Sequence, residues 1–135
     1  MAYYQPDVTA FAASLLCAAV FGISPSPANP QTASNYQSSC NRISISGATL
    51  LATCRRVDGS FNRTSVVLQG IENVDGQLQF TQPGQPASYP ESCQHIRIIG
   101  STLTATCRLT DGRYRRSSIN VPGISNVDGN LQYRP

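Results

Sequence analysis

Residues 40–59 read CNRISISGATLLATCRRVDG, and residues 93–112 read CQHIRIIGSTLTATCRLTDG. Continued to Phe80 and Tyr133, the two stretches align without a gap, and 22 of the 41 positions are identical. The chain is therefore duplicated internally. Both copies carry C-x2-I-x-I-x-G-x-T-L-x-A-T-C-R, then D-G, then R-x-S, then G-I-x-N-V-D-G-x-L-Q. Two copies are too few for a solenoid, which needs at least three stacked units, and one copy is too small to bury a full core. The expectation is a pseudo-symmetric globule whose halves share one core.

Within each copy the hydrophobic period is two. Ile43 and Ile45 alternate with polar neighbours, while Leu50, Ala52 and Cys54 hold one parity and Thr53 and Arg55 the other, the pattern of half-buried strands. The run from Phe61 ends in the β-branched pair Val66 and Val67. Asp58-Gly59, Asp75-Gly76, Asp111-Gly112 and Asp128-Gly129 fall between such runs. Asp-Gly favours a tight hairpin because glycine accepts positive φ without a Cβ penalty. With no helical period after residue 36, the fold is read as all-β. Ile71, Leu78, Ile124 and Leu131 read as core.

Outward from the repeats, the segment TQPGQPASYP joins them, and Pro83, Pro86 and Pro90 stiffen it. A short hinge between similar halves suits exchange between two chains, so a monomer or a domain-swapped homodimer is expected. Residues 1–35 form an apolar, Pro-rich extension: VTAFAASLLCAAVFGI at 8–23 has the apolar core of a secretory signal, but MAYYQPD before it carries no cation. A signal-like segment, a piece folded onto the domain, and a weakly membrane-associating tail are three readings of it. Sixteen residues fall short of a spanning helix, which takes about 20. The functional domain is placed at 36–135, with repeats at 40–80 and 93–133.

Composition bounds the chemistry. The chain has 135 residues, 13% of them charged, and its net charge of +3 rests on ten arginines with no lysine. A single histidine, His95, excludes a His-rich metal site, and neither a metal nor a cofactor is expected. Four of the five cysteines form pairs of identical spacing, Cys40 with Cys54 and Cys93 with Cys107, far longer than the short steps zinc sites prefer. Two disulfides in an oxidising, secreted or periplasmic compartment follow. Three pairings are open, of which pairing within each repeat is the most economical. Cys17 is left over inside the apolar extension. Asn62-Arg63-Thr64 matches an N-glycosylation acceptor, relevant only in a eukaryotic secretory pathway.

The paired cysteines, the recurring N-V-D-G, and the length of the region after Tyr36 resemble the cyanovirin-N family of small lectins for high-mannose glycans. The resemblance implies two intertwined repeats, each a three-stranded sheet plus a β-hairpin, with disulfides Cys40–Cys54 and Cys93–Cys107. It also implies two sugar sites at opposite ends of the molecule. Carried over by position, the first falls on Ser38, Ser39, Arg55 and Val57, with Asn126, Val127 and Asp128 from the other repeat. The second falls on Glu72, Asn73, Val74 and Asp75, on Ala87 and Ser88 in the linker, and on Glu91, Ser92, Arg108 and Thr110. Val57 departs from the hydroxyl residue the family commonly carries there, so the second site is expected to bind more tightly. Antiviral coating of envelope glycans is the role the resemblance implies.

The residue types suit a sugar. Carboxylates accept two hydroxyl donors at once, amides give and receive, and a rigid turn holds both in place. Partners are thus oligomannose glycans and mannosylated glycoproteins, terminal α1,2-linked mannose above all, and two weak sites would gain on a branched ligand through effective concentration. Tyr89, the aromatic nearest the second set in sequence, reads as a linker side chain packing on the domain. A glycosidase would need a carboxylate pair with one raised pKa; Glu72, Asp75 and Glu91 show no apolar setting for it, and no catalytic residue is assigned. Arg113, Arg115 and Arg116 offer an alternative, polyanion or nucleic-acid binding, although their alternation also fits the wet face of a strand. No nucleic acid and no stable membrane span are expected.

Overall fold

The computed structural model describes residues 32–135, so the readings of the apolar segment and of Cys17 lie outside the described residues. Each repeat opens on a short 3-10 turn, at Tyr36–Ser38 and Tyr89–Glu91. The first continues as β1 (Cys40–Ser46), β2 (Thr49–Arg55), β3 (Phe61–Val67), β4 (Ile71–Val74) and β5 (Gln77–Phe80). The second repeats this as β6 (Cys93–Ile99), β7 (Thr102–Arg108), β8 (Tyr114–Asn120), β9 (Ile124–Val127) and β10 (Asn130–Tyr133). Strands β1-β2-β3 and β6-β7-β8 form two antiparallel three-stranded sheets, and β4-β5 and β9-β10 form two hairpins. The all-β architecture read from the sequence is the one observed.

The repeats are intertwined. Hairpin β9-β10 packs on β3 of the first repeat, hairpin β4-β5 packs on β8 of the second, and β1 lies against β6. Side chains of the host strand complete each hairpin's ladder: Leu131 N–H donates to Thr64 Oγ1 at 3.1 Å and Leu78 N–H to Ser117 Oγ at 2.9 Å. The single core draws Leu50, Ala52, Leu68 and Ile71 from one copy and Leu103, Ala105, Val121 and Ile124 from the other. Leu78 and Leu131 are buried as well. Asn62 Nδ2, the atom a glycan would occupy, instead donates to the Gly129 carbonyl at 2.8 Å. Glycosylation there would displace the hairpin.

Two local features depart from a plain alternating pattern. Register shifts between Asn41 and Ser44 and between Gln94 and Arg97 mark a β-bulge in β1 and β6, with Arg42 (φ 51°) and His95 (φ 55°) left-handed. The Asp-Gly pairs also differ from one another. Asp75-Gly76 and Asp128-Gly129 form two-residue turns with both φ positive, the type I′ geometry. Asp58-Gly59 and Asp111-Gly112 sit instead in longer connections, where only the glycine is left-handed and the aspartate accepts from the N–H two residues on. Asp-Gly specifies a glycine at positive φ and leaves loop length to other contacts.

Two tyrosines tie the halves together. Tyr36, ahead of the first repeat, donates to the Gly100 carbonyl in the β6-β7 turn, and Tyr89, ahead of the second, donates to the Gly47 carbonyl in the β1-β2 turn. Both residues are fully buried, so Tyr89 packs on the domain as its sequence context predicts. Burial pushes the Tyr36 hydroxyl up to about 12 and raises that of Tyr89 further. In the unfolded chain both titrate near 10. A folded pKa above the unfolded one gives stability that is complete below about pH 10 and is lost as pH rises toward the folded value. Urea unfolding should show a steady midpoint up to about pH 10 and a falling one above it. A Tyr36→Phe/Tyr89→Phe variant should start about 2 kcal/mol lower, each lost hydroxyl contributing about 1 kcal/mol, and show a smaller alkaline fall, the remainder coming from Tyr133, whose pKa burial also raises.

Candidate functional site: two clefts where a hairpin tip meets the other repeat

The I′ turn at Asp75-Gly76 lies against the connection that follows β7. Thr110 donates to Asp75 Oδ1 from its backbone N–H at 2.9 Å and from its hydroxyl at 3.1 Å. These two donors, aided by the charge of Arg115, hold the Asp75 carboxyl below the usual aspartate range. Beside it, Asn73 Nδ2 donates to Ser92 Oγ and to the Arg108 carbonyl, each at 2.9 Å, and Asn73 Oδ1 accepts from Gly76 N–H at 2.8 Å. The approach is close enough to require glycine. A Cβ on Gly76 (φ 86°) would come within 2.8 Å of Leu109 Cδ1.

The other end repeats this arrangement. Val57 N–H donates to Asp128 Oδ1 at 2.9 Å, Asn126 Nδ2 donates to Ser39 Oγ and the Arg55 carbonyl, each at 2.9 Å, and Gly129 N–H donates to Asn126 Oδ1 at 2.8 Å. The difference is the residue facing the carboxylate. Thr110 supplies two donors and Val57, a residue 90% exposed, supplies one. Each arrangement combines a hairpin from one repeat with a sheet end from the other, so neither copy could assemble it alone.

Next to each docked tip is an open cleft. At the second end a cleft of about 170 Å³ is lined by Glu91, Ser92, Gln94, Arg108 and Tyr114 with Cys93 beneath. At the first, one of about 200 Å³ is lined by Ser38, Ser39, Asn41, Arg55 and Phe61 with Cys40 beneath. The two linings correspond residue for residue in the repeat alignment. The disulfides Cys40–Cys54 and Cys93–Cys107 cross-link the strand ends that form these walls.

The remaining candidates lie farther out. Glu72 and Val74 alternate with Ile71 and Asn73 along β4, so they face away from the docked side of the hairpin, and Val127 does likewise on β9. Ala87 packs against the core, and Ser88 N–H donates to the Ile71 carbonyl at 3.1 Å, which fastens the linker beside β4. Sequence reasoning missed Tyr114 and Phe61, both about half exposed at the clefts. Their cross-strand partners are Arg108 and Arg55, and that pairing is the signal that would have found them. The arginine run disperses: Arg113 is paired with Asp111 at 2.9 Å, Arg115 lies against Gly76, and Arg116 belongs to the opposite face of β8.

A CVNH domain family model matches residues 36–132. Among solved structures, microvirin, determined with mannobiose, is 30% identical with a TM-score of 0.59, aligned over 75% of this chain and 99% of its own. The T. borchii CVNH protein is 28% identical with a TM-score of 0.62, over 73% and 98%. A MoCVNH3 variant determined with (N-GlcNAc)4 is similar in fold, at 21% identity and a TM-score of 0.64, over 78% and 100%.

Proposed function

The chain belongs to the CVNH domain family, the cyanovirin-N lectins, and from that premise we propose that it is a two-site lectin for high-mannose glycans that selects terminal α1,2-linked mannose. The observation that carries this reading is the pair of clefts, each walled by hydroxyl, amide and guanidinium groups and sharing its serine and arginine with the docked hairpin tip that carries Asp75 or Asp128. A mannose ring is neutral and rimmed with hydroxyls that both donate and accept. Glu91 and the free oxygen of Asp75 are acceptors for it, and Arg108 is a donor. Prior engagement of Asp75 and Asn73 fixes the border before ligand arrives, which lowers the ordering cost of binding a small sugar. That microvirin, 30% identical, is seen with mannobiose supports the sugar class.

A binding role without catalysis fits the carboxylates. A glycosidase acid needs its proton near neutral pH and hence a raised pKa, whereas Asp75 is lowered by the Thr110 donors. The lectin domain is taken as residues 36–135, and its two disulfides suit an oxidising compartment. Mannose-rich envelope glycoproteins are ligands of the right chemistry, and coating them would account for antiviral activity.

Titration of the oxidised protein with an α1,2-linked dimannoside, followed by backbone amide shifts, tests the reading. Shifts centred on Asn73–Asp75 and Glu91–Thr110, with a weaker set near Ser38 and Asp128, are expected. No shift at about millimolar sugar would overturn it. The ranking of the sites has its own test. Asp75→Ala should cost more affinity than Asp128→Ala, because Thr110 brackets Asp75 twice, and equal losses would refute the order. Thr110→Val, which leaves only the N–H contact, should bring the second site down toward the first.

A further inference from the structure

The bulge at His95 has a consequence for charge. Gln94 pairs with Thr106 and Arg97 with Thr104, so three residues of β6 span two of β7. That extra residue returns Arg97 to the same face as Gln94, which is the face opposite the buried Ile98. Across the sheet, Thr104 pairs with Ser118 and Thr106 with Arg116, while Arg108 stands at the end of the same row beside Tyr114. Directly paired side chains share a face. The outer face of the second sheet therefore carries Arg97, Arg108 and Arg116 among hydroxyl and amide side chains, with Ile99 exposed at one end and Tyr114 at the other, and no Asp or Glu occupies its register positions.

Arg97 and Arg116 are exposed, and neither meets an acidic partner among the described residues, where Arg113–Asp111 is the one ion pair. With strands about 4.8 Å apart and about 3.4 Å per residue, the Cα atoms of Arg108 and Arg116 stand about 8 Å apart and those of Arg97 and Arg116 about 12 Å apart. A shallow groove of about 250 Å³ lies beside Arg116, lined by Thr104, Arg116, Ser117 and Ser118. The first sheet is an internal contrast. At the corresponding positions Ser44 replaces Arg97, Leu51 replaces Thr104 and Val67 replaces Asn120. Ile99 in place of Ser46 runs the other way, and Arg55 and Arg63 match Arg108 and Arg116, so the difference in charge between the two faces is the one arginine at 97.

We propose that the outer face of the second sheet, continuing from the second cleft at Arg108 to Arg116 and Arg97, is a binding surface for an anionic polysaccharide, a chain of sugars bearing sulfate or carboxylate groups. Guanidinium forks match the planar edge of such oxyanions bidentately, and three of them in a triangle hold successive groups along a chain. The rows of Thr, Ser, Gln and Asn between the arginines supply donors and acceptors for sugar hydroxyls. A single-stranded nucleic acid would call for stacked aromatic platforms, and Tyr114 is the one aromatic on this face.

The surface adjoins the second mannose cleft and shares Arg108 with it, so on this face the test varies only Arg97 and Arg116, which lie outside that cleft. Binding of the full oxidised chain to dextran sulfate is measured across a salt series for the parent, for Arg97→Ser/Arg116→Ser, and for Arg113→Ser/Arg134→Ser, which removes equal charge off the face. The first double variant should bind about tenfold more weakly at about 0.1 M salt, with a log–log salt slope smaller by about two. The control double variant should stay close to the parent. Dispersed amide spectra for all three establish that the fold is kept. Equal weakening in both double variants would overturn the proposal in favour of net charge alone. An unchanged Arg97→Ser/Arg116→Ser variant would overturn it outright. An oligodeoxythymidylate bound as tightly as dextran sulfate would overturn the sugar assignment.

Discussion

Replacing Cys93 and Cys107 with alanine is expected to lower the unfolding free energy by about 3 kcal/mol and to abolish ligand-induced shifts at the second cleft while those at the first remain. The stability figure follows from chain entropy: the bridge closes a loop with a sequence separation of 14, and releasing it restores that freedom to the unfolded chain. Against a total of roughly 5–15 kcal/mol for a domain, one bridge is a large share, and reducing both leaves little. The effect on the cleft follows from position. Ser92 and Arg108 are the immediate neighbours of the bridged pair, and Arg108 N–H donates to the Ser92 carbonyl at 2.9 Å, one step beyond the disulfide. Without the bridge, that last rung frays at the strand ends that wall the cleft. Urea unfolding and a dimannoside titration of the same sample check both halves. Undiminished shifts at the second cleft would mean that the ladder alone holds its wall.

The repeat, the strands and the shared core were legible because they follow from period and spacing, which a linear sequence displays directly. Ile71, Ile124, Leu78 and Leu131 read as core and are buried. What stayed hidden depends on conformations with no residue-type mark. Arg42 adopts positive φ though arginine has no preference for it, and at the matching position His95, a type only modestly enriched there, does the same; the bulge they create decides which face Ser44 and Arg97 occupy. Loop length around Asp58 and Asp111 was hidden too, because Val57 and Thr110 are held by a hairpin from the other repeat. The arginines at 113–116 look like one cluster in sequence, but strand alternation sends Arg115 and Arg116 to opposite faces. Tyr114 was overlooked for a related reason. It reaches the second cleft through cross-strand pairing with Arg108, whereas Tyr89, nearer in sequence, turns into the core.

Asn73→Ala should weaken dimannoside binding at the second cleft about tenfold and lower stability by about 2–3 kcal/mol, although its amide faces the protein. Both hydrogens of the amide are engaged, one on Ser92 Oγ and one on the Arg108 carbonyl, and its oxygen accepts from Gly76 N–H. Three hydrogen bonds of about 1 kcal/mol each account for the stability loss. The loss of affinity follows because those bonds fasten the hairpin tip to the sheet end, and Asp75 sits on that tip. Asn73 is in this view a positioning residue. A direct contact with sugar and a positioning role differ in the ligand-free protein: positioning predicts faster Gly76 amide exchange and displaced Thr110 resonances before any sugar is added. Asn126→Ala provides the symmetric control, with the same cost in stability and the binding loss moved to the first cleft. If Asn73→Ala lost affinity with Gly76 exchange and stability unchanged, the amide would be a ligand contact, and docking of the hairpin would rest on Asp75 and Thr110 alone.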